Sequence, residues 1–155
     1  MSKSNICDFL NSHKNLLISV GTLFRNSEIP QWNEEVLQDI KSNPKKWLGI
    51  RGYSIVESSQ IISAILARSN EDFTEILALA THPSYKNQGY ASKILTYLIN
   101  LRATPFLLEV SVKNTSALNL YTKNGFTSLS LRKNYYTMPD HSLQDAVVMK
   151  RDFAR

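Results

Sequence analysis

Cysteine is nearly absent from this sequence, and no apolar run is long. Cys7 is the only cysteine among 155 residues, so no disulfide can form within the chain, and a reducing compartment, the cytoplasm, is expected. The apolar stretch at residues 16–24 is shorter than the roughly 20 residues of a membrane-spanning helix. No small-residue cleavage site follows it, so the sequence predicts neither a membrane span nor export.

Basic residues are numerous but not concentrated. The sequence has 18 Lys and Arg residues against 13 Asp and Glu, a net charge of +5, which favours anionic partners. These cations gather only in pairs such as Lys45-Lys46 and Arg132-Lys133. Aromatic residues do not interleave with them, so specific nucleic-acid binding is not expected. The three histidines and the single cysteine are scattered along the chain, and we predict no metal site.

The length and the apolar pattern predict a single domain, residues 1–155, of mixed α/β (α+β) class. Helical spacing of apolar residues predicts four helices, at residues 11–26, 33–42, 90–102 and 116–124. Short apolar runs predict six strands, at residues 47–53, 60–67, 73–81, 106–112, 126–132 and 146–149. The first three strands read as an antiparallel meander, and the strand at 106–112 as one covered on both faces.

A glycine-containing loop lies between the strand at 73–81 and the helix at 90–102. Its sequence, residues 86–92, is KNQGYAS. The free N–H groups of a helix N-terminus bind anions, and Gly89 would let the backbone approach a phosphate group closely. Lys86 adds a positive charge. The alternative is that Gly89 only starts a helix after Pro83.

Two side chains are candidates for proton transfer. Glu109 lies within an apolar strand, where a carboxylate is costly unless it is paired or functional, so it is a candidate general base. It could instead face water on an edge strand or pair with a buried arginine. Tyr121 lies two helical turns after Asn114, a predicted N-cap, and on roughly the same face. It could be a proton donor in a cleft or a core aromatic residue with its hydroxyl at the rim.

The segment 77–126 resembles the core of the GNAT superfamily of N-acetyltransferases. The superfamily loop Gln/Arg-x-x-Gly-x-Gly/Ala reads Lys86-x-x-Gly89-x-Ala91 here, with lysine at the first position. The Asn…Ala…Leu-Tyr…Gly-Phe motif of the following helix is matched at Asn114, Ala117, Leu120, Tyr121, Gly125 and Phe126. The runs at 132–136 and 145–149 are similar to the RimI branch, which acetylates the N-terminal alanine of a small-subunit ribosomal protein.

The resemblance implies a twisted, mostly antiparallel sheet of about seven strands flanked by about four helices. It implies acetyl-coenzyme A as cosubstrate, the N-terminal tail of a ribosomal protein as acceptor, Glu109 as base and Tyr121 as acid. The implied cofactor contacts are the backbone of Leu79, Ala80 and Thr81 for the pantetheine arm, the amides of Asn87, Gln88, Gly89, Tyr90, Ala91 and Ser92 for the pyrophosphate, and Asn114 near the reactive end.

Two other classes of function stay open at this point. One is a GNAT enzyme that acetylates a small-molecule amine or a lysine side chain. The other is a binding protein without catalysis, either an acyl-coenzyme A module or a basic nucleic-acid-binding module. The presence of both Glu109 and Tyr121 favours an enzyme.

Overall fold

One mixed sheet runs through the computed structural model, which describes residues 5–153. Its strands are β1 (Asn5–Asp8), β2 (Ile50–Glu57), β3 (Gln60–Ser69), β4 (Thr74–Thr81), β5 (Phe106–Ser111), β6 (Thr127–Thr137) and β7 (Leu143–Arg151). The α-helices are α1 (Lys14–Asn26), α2 (Glu34–Ser42), α3 (Tyr90–Leu101) and α4 (Thr115–Lys123). The strand order is β1-β2-β3-β4-β5-β7-β6, and every neighbouring pair is antiparallel except β4 and β5. The predicted fold class is confirmed.

Helices cover the sheet in two groups, each with its own core. On one side α1 and α2 bury Leu17, Phe24 and Leu37 against the N-terminal half of the sheet. On the other side α3 packs over β2, β3 and β4, and the second core, to which α4 contributes Tyr121, includes the fully buried Leu95 and Phe106. The Asn33 side chain caps α2 by accepting from the Val36 N–H at 3.1 Å, as its position in the sequence predicts.

The start of the sheet differs from the prediction. The strand predicted from Trp47 begins only at Ile50, because residues 47–49 form a turn in which Gly49 has φ +79°. Trp47 is instead anchored by its indole N–H, which donates to Asp39 Oδ2 at 2.8 Å. The edge strand β1 was not predicted, and the first helix begins at Lys14 instead of residue 11.

The strands β4 and β5 separate part of the way along their length. They pair in parallel through three positions only, the last being Ile76 with Leu108. The next residue of β4, Leu77, is a bulge, since β3 pairs with Ile76 and Ala78 on either side of it. Bulges bend a strand and increase its twist. A cleft therefore opens between the C-terminal halves of β4 and β5.

Burial along β5 alternates instead of being continuous. Phe106, Leu108 and Val110 are buried, while Leu107, Glu109 and Ser111 are half-buried. The prediction that both faces of this strand are covered was therefore wrong. Helices cover one face, and the other face, which carries Glu109, stays accessible at the cleft.

Candidate active site

The loop before α3 forms an open helix N-terminus. Asn87 and Gly89 have left-handed backbone angles, φ +60° and +85°, and α3 begins directly afterwards at Tyr90. No side chain caps this helix end, and a Cβ atom built on Gly89 would meet no atom within 4 Å among the described residues. The first-turn N–H groups and the positive end of the helix dipole can therefore face a ligand.

Neighbouring elements hold this loop in place. The Tyr90 hydroxyl donates to Glu57 Oε1 at 3.2 Å, and the Tyr85 hydroxyl donates to Gln60 Oε1 at 3.1 Å. Both acceptors flank the turn between β2 and β3. Two hydrogen bonds thus fasten the loop to the β2–β3 hairpin, which suits a preformed anion site.

The predicted pantetheine contacts lie along one wall of the cleft. Leu79, Ala80 and Thr81 pair through β3 on one edge of β4. Their other edge faces the space into which β5 no longer extends its pairing. An extended ligand could add there as a further strand, through main-chain hydrogen bonds.

Glu109 is the first residue of β5 beyond the last pair with β4. Its side chain is 19% exposed, and its carboxylate accepts from the Arg132 guanidinium, with Nη1 2.6 Å from Oε1. The arginine partner considered for this residue is thus present, but it is exposed (56%) instead of buried. The nearby Glu109 carboxylate, as a potential hydrogen-bond acceptor and then by its charge, raises the pKa of the Tyr135 phenol.

A bulge in β6 brings these partners to Glu109. Arg132 pairs with Ala146 and Tyr136 with Gln144, so three residues of β6 lie opposite one residue of β7. The Tyr136 hydroxyl donates to the main-chain carbonyl of Glu109 at 3.3 Å. Sequence reasoning did not identify Arg132, Tyr135 and Tyr136 as site residues. The sequence signal that could have identified them is the Arg-x-x-Tyr-Tyr run, which carries part of the family resemblance.

Tyr121 is buried in α4, with its ring edge-on to Phe126 at 5.5 Å between centroids. Burial, and secondarily the nearby Tyr136, raise the pKa of Tyr121 well above the ordinary value, so the phenol keeps its proton. Burial, with smaller contributions from Tyr135 and Glu109, raises the pKa of Tyr136 to about 12. Tyr136 is thus electrostatically coupled to both predicted proton-transfer residues.

Asn114 caps α4, with its Oδ1 accepting from the Ala117 N–H at 3.1 Å. The cap uses the side-chain oxygen, and the NH₂ group is the end that could donate to a ligand. After α4, Gly125 has φ +88°, the left-handed conformation predicted for it.

Residues 5–153 contain no group of three or more His, Cys, Asp or Glu side chains placed to hold a metal ion. Over the same range no helix is long and apolar enough to cross a membrane. A surface cavity of about 420 Å³ lies between α2 and β2, lined by Trp47, Leu48 and Arg51 among others, and it includes none of the predicted site residues.

Comparisons with known proteins agree with this geometry. The sequence profile of the acetyltransferase (GNAT) family matches residues 18–126. The [ribosomal protein bS18]-alanine N-acetyltransferase of Haemophilus ducreyi is 37% identical over 122 residues, which cover 76% of this chain and 81% of that protein.

Two solved structures share the fold. The ribosomal-protein-S18-alanine N-acetyltransferase from Escherichia coli superimposes with a TM-score of 0.81 at 22% identity, covering 99% of this chain and 96% of that one. Arabidopsis thaliana NAA60 in complex with acetyl-CoA has a TM-score of 0.78 at 14% identity, covering 97% and 98%. The profile match spans more than half of the sequence, and the chain belongs to the acetyltransferase (GNAT) family.

Proposed function

We propose that this chain transfers acetyl from acetyl-coenzyme A to the N-terminal alanine amine of ribosomal protein bS18. The observation that carries the proposal is the separation of β4 and β5 immediately before Glu109, next to an uncapped helix N-terminus. The named activity of the Haemophilus ducreyi relative, matched over most of both chains, supports this choice of acceptor.

The cleft offers a binding group for each part of the cosubstrate. The open edge of β4 at residues 79–81 suits the amides of the pantetheine arm. The N–H groups of residues 87–92 suit the pyrophosphate, since Gly89 leaves its approach unobstructed. Asn114 would donate its NH₂ group near the reactive end. When bound, acetyl-coenzyme A supplies the acetyl group as an activated thioester.

The proposed base and acid come from two different elements. Glu109 would accept a proton from the incoming ammonium group, directly or through a water molecule. An N-terminal α-amino group titrates near pH 8, about two units below lysine, so a modest base is sufficient. Tyr121, kept protonated by burial, would donate its proton to the departing thiolate. N–H groups at the separated strands would stabilise the developing oxyanion.

Two carboxylates lie on the Glu109 face of the sheet, each beside a cation: Glu109 pairs with Arg132, and Glu75 lies opposite Arg68. Glu75 pairs with Leu107 across the parallel ladder, which places Glu75 and Glu109 on the same face of the sheet. Both carboxylates contribute to raising the pKa of the Tyr135 phenol, so both lie within electrostatic range of that ring. Either carboxylate could accept a hydrogen bond from an ammonium group.

A comparison of three acceptor amines, each supplied separately, tests the proposal. The purified protein is incubated with acetyl-coenzyme A and one of three amines: a peptide with the N-terminal sequence of bS18, the same peptide with a blocked N-terminus and an internal lysine, or spermidine. Mass spectrometry with fragmentation locates the acetyl group. We expect acetylation at the α-amine of the first peptide only. Turnover of spermidine or of the lysine alone would contradict the ribosomal assignment and favour a GNAT enzyme for other amines.

A further inference from the structure

The Glu109 side chain is held from outside its own strand. Arg132 Nη1 lies 2.6 Å from Glu109 Oε1, and the Tyr135 phenol is close enough for the same carboxylate to raise its pKa. The Tyr136 hydroxyl bonds the Glu109 main-chain carbonyl at 3.3 Å. Two residues of β6, Arg132 and Tyr136, thus hold the side chain and the main chain of one residue of β5.

Regular strand geometry would not allow this arrangement. Residues three positions apart on an undistorted strand point to opposite faces, yet the Arg132 guanidinium lies over the Tyr135 ring, 5.4 Å from its centroid. The bulge makes this contact possible. Asn134 stabilises the bulge: its φ is +54°, and its N–H donates to Asp145 Oδ1 at 2.8 Å. The distortion in β6 therefore serves the geometry around Glu109.

We propose that Arg132 is a positioning residue, whose guanidinium holds the Glu109 carboxylate in the orientation that receives the acceptor's proton. The inference rests on the proposed function, since it takes Glu109 as the base. The planar guanidinium fixes the direction of a carboxylate better than a lysine ammonium, which acts as a point charge. Because Arg132 is half exposed, its ion pair adds little to stability, and its loss should affect the rate without unfolding the protein.

Steady-state kinetics with an alanine-first peptide test the role of Arg132. In Arg132→Gln we expect kcat to fall on the order of 10-fold to 100-fold, as small misplacements of a reacting group do, with KM for the peptide and affinity for acetyl-coenzyme A nearly unchanged. Arg132→Lys should recover part of the rate. The matched control is Lys133→Gln, which removes the same charge from the adjacent exposed residue and should behave as the wild type.

A double-variant cycle separates this inference from the proposed function. Rates are measured near pH 9, where most α-amino groups are already neutral and the Glu109→Gln enzyme has a measurable rate. Adding Arg132→Gln to Glu109→Gln should slow turnover no further. An equal slowing in both backgrounds overturns the positioning role while leaving Glu109 as base. The positioning role is also overturned if the Arg132→Gln enzyme has an unchanged kcat and a lower KM, because Arg132 would then compete with the substrate ammonium group for Glu109. If Glu109→Gln alone has the wild-type rate at neutral pH, both the base assignment and this inference fail.

Discussion

The side-chain NH₂ of Asn124 donates to the Ser92 hydroxyl at 3.2 Å, joining the end of α4 to the first turn of α3. The same amide also donates to the Leu120 carbonyl at 2.8 Å. Two helices that carry different parts of the proposed site, Tyr121 on one and the proposed phosphate-binding turn on the other, are thereby joined.

The first prediction concerns this tie. Asn124→Ala removes hydrogen bonds worth about 1 kcal/mol each, so we expect a lower Tm and a several-fold weaker affinity for coenzyme A. The control is Asn119→Ala, the same change at an exposed position of the same helix. Isothermal titration calorimetry and thermal denaturation measure the two effects. Equal affinities for both variants would show that the tie does not position the loop.

The second prediction uses two glycines with the same backbone angle. Gly89 and Gly125 have φ +85° and +88°, so replacement by alanine costs each about 1 kcal/mol in backbone strain. Space around Gly89 is open, while a Cβ on Gly125 would lie 3.3 Å from Arg151 Nε. Gly89→Ala should therefore destabilise the protein no more than Gly125→Ala, yet only Gly89→Ala should weaken coenzyme A binding.

Equilibrium unfolding and coenzyme titration of both variants check the comparison. If Gly89→Ala binds the coenzyme as the wild type does, the diphosphate does not lie against that backbone. A loss of binding in Gly125→Ala would mean that strain alone explains the effect.

The third prediction concerns Tyr121 as a proton donor. Tyr121→Phe removes the hydroxyl and keeps the ring contact with Phe126, so we expect kcat to fall on the order of 10²-fold, the usual range for general-acid catalysis, with little change in coenzyme affinity. Tyr97→Phe, which removes the hydroxyl of a half-buried ring on α3, should keep the wild-type rate. An unchanged kcat in Tyr121→Phe would remove it from the mechanism.

The fourth prediction is the dependence of stability on alkaline pH. The pKa of Tyr121 is raised in the folded state above the value of about 10 in an unfolded chain. Below about pH 10 both states keep the proton, so this stability is fully present; above it the unfolded state loses the proton first, and the unfolding free energy falls. Urea unfolding between about pH 9 and 11 should therefore show a smaller fall for Tyr121→Phe than for the wild type. An equal fall in the unfolding free energy of both proteins would contradict the raised pKa of Tyr121.

The periodic spacing of apolar residues was sufficient to predict most of the helices and strands. The four helices and six of the seven strands lie where the pattern places them, within a few residues at the ends. The strand β1 has too few apolar residues to be recognised, since Asn5 and Asp8 are half of its four positions. Trp47 was assigned to a strand because it is apolar, whereas its indole N–H bonds to Asp39 of α2, a contact that the local pattern does not show.

The candidate site was only partly predictable. The loop at Gly89 and the cap at Asn114 are local features, and motif and spacing are enough to find them. The partners of Glu109 come from β6, 23 or more positions later in the chain, and depend on a bulge that requires β7 as its partner. No periodic signal marks that bulge, because its anchor, Asp145, lies 11 positions from Asn134.

The most direct test is a crystal structure with a bisubstrate analogue, coenzyme A joined to an alanine-first peptide. The proposed mechanism requires the diphosphate on the amides of residues 87–92, the pantetheine arm along residues 79–81, and the sulfur between the Glu109 carboxylate and the Tyr121 hydroxyl. A complex in which the Gly89 turn makes no contact with the diphosphate, or in which those two side chains point away from the sulfur, would contradict it.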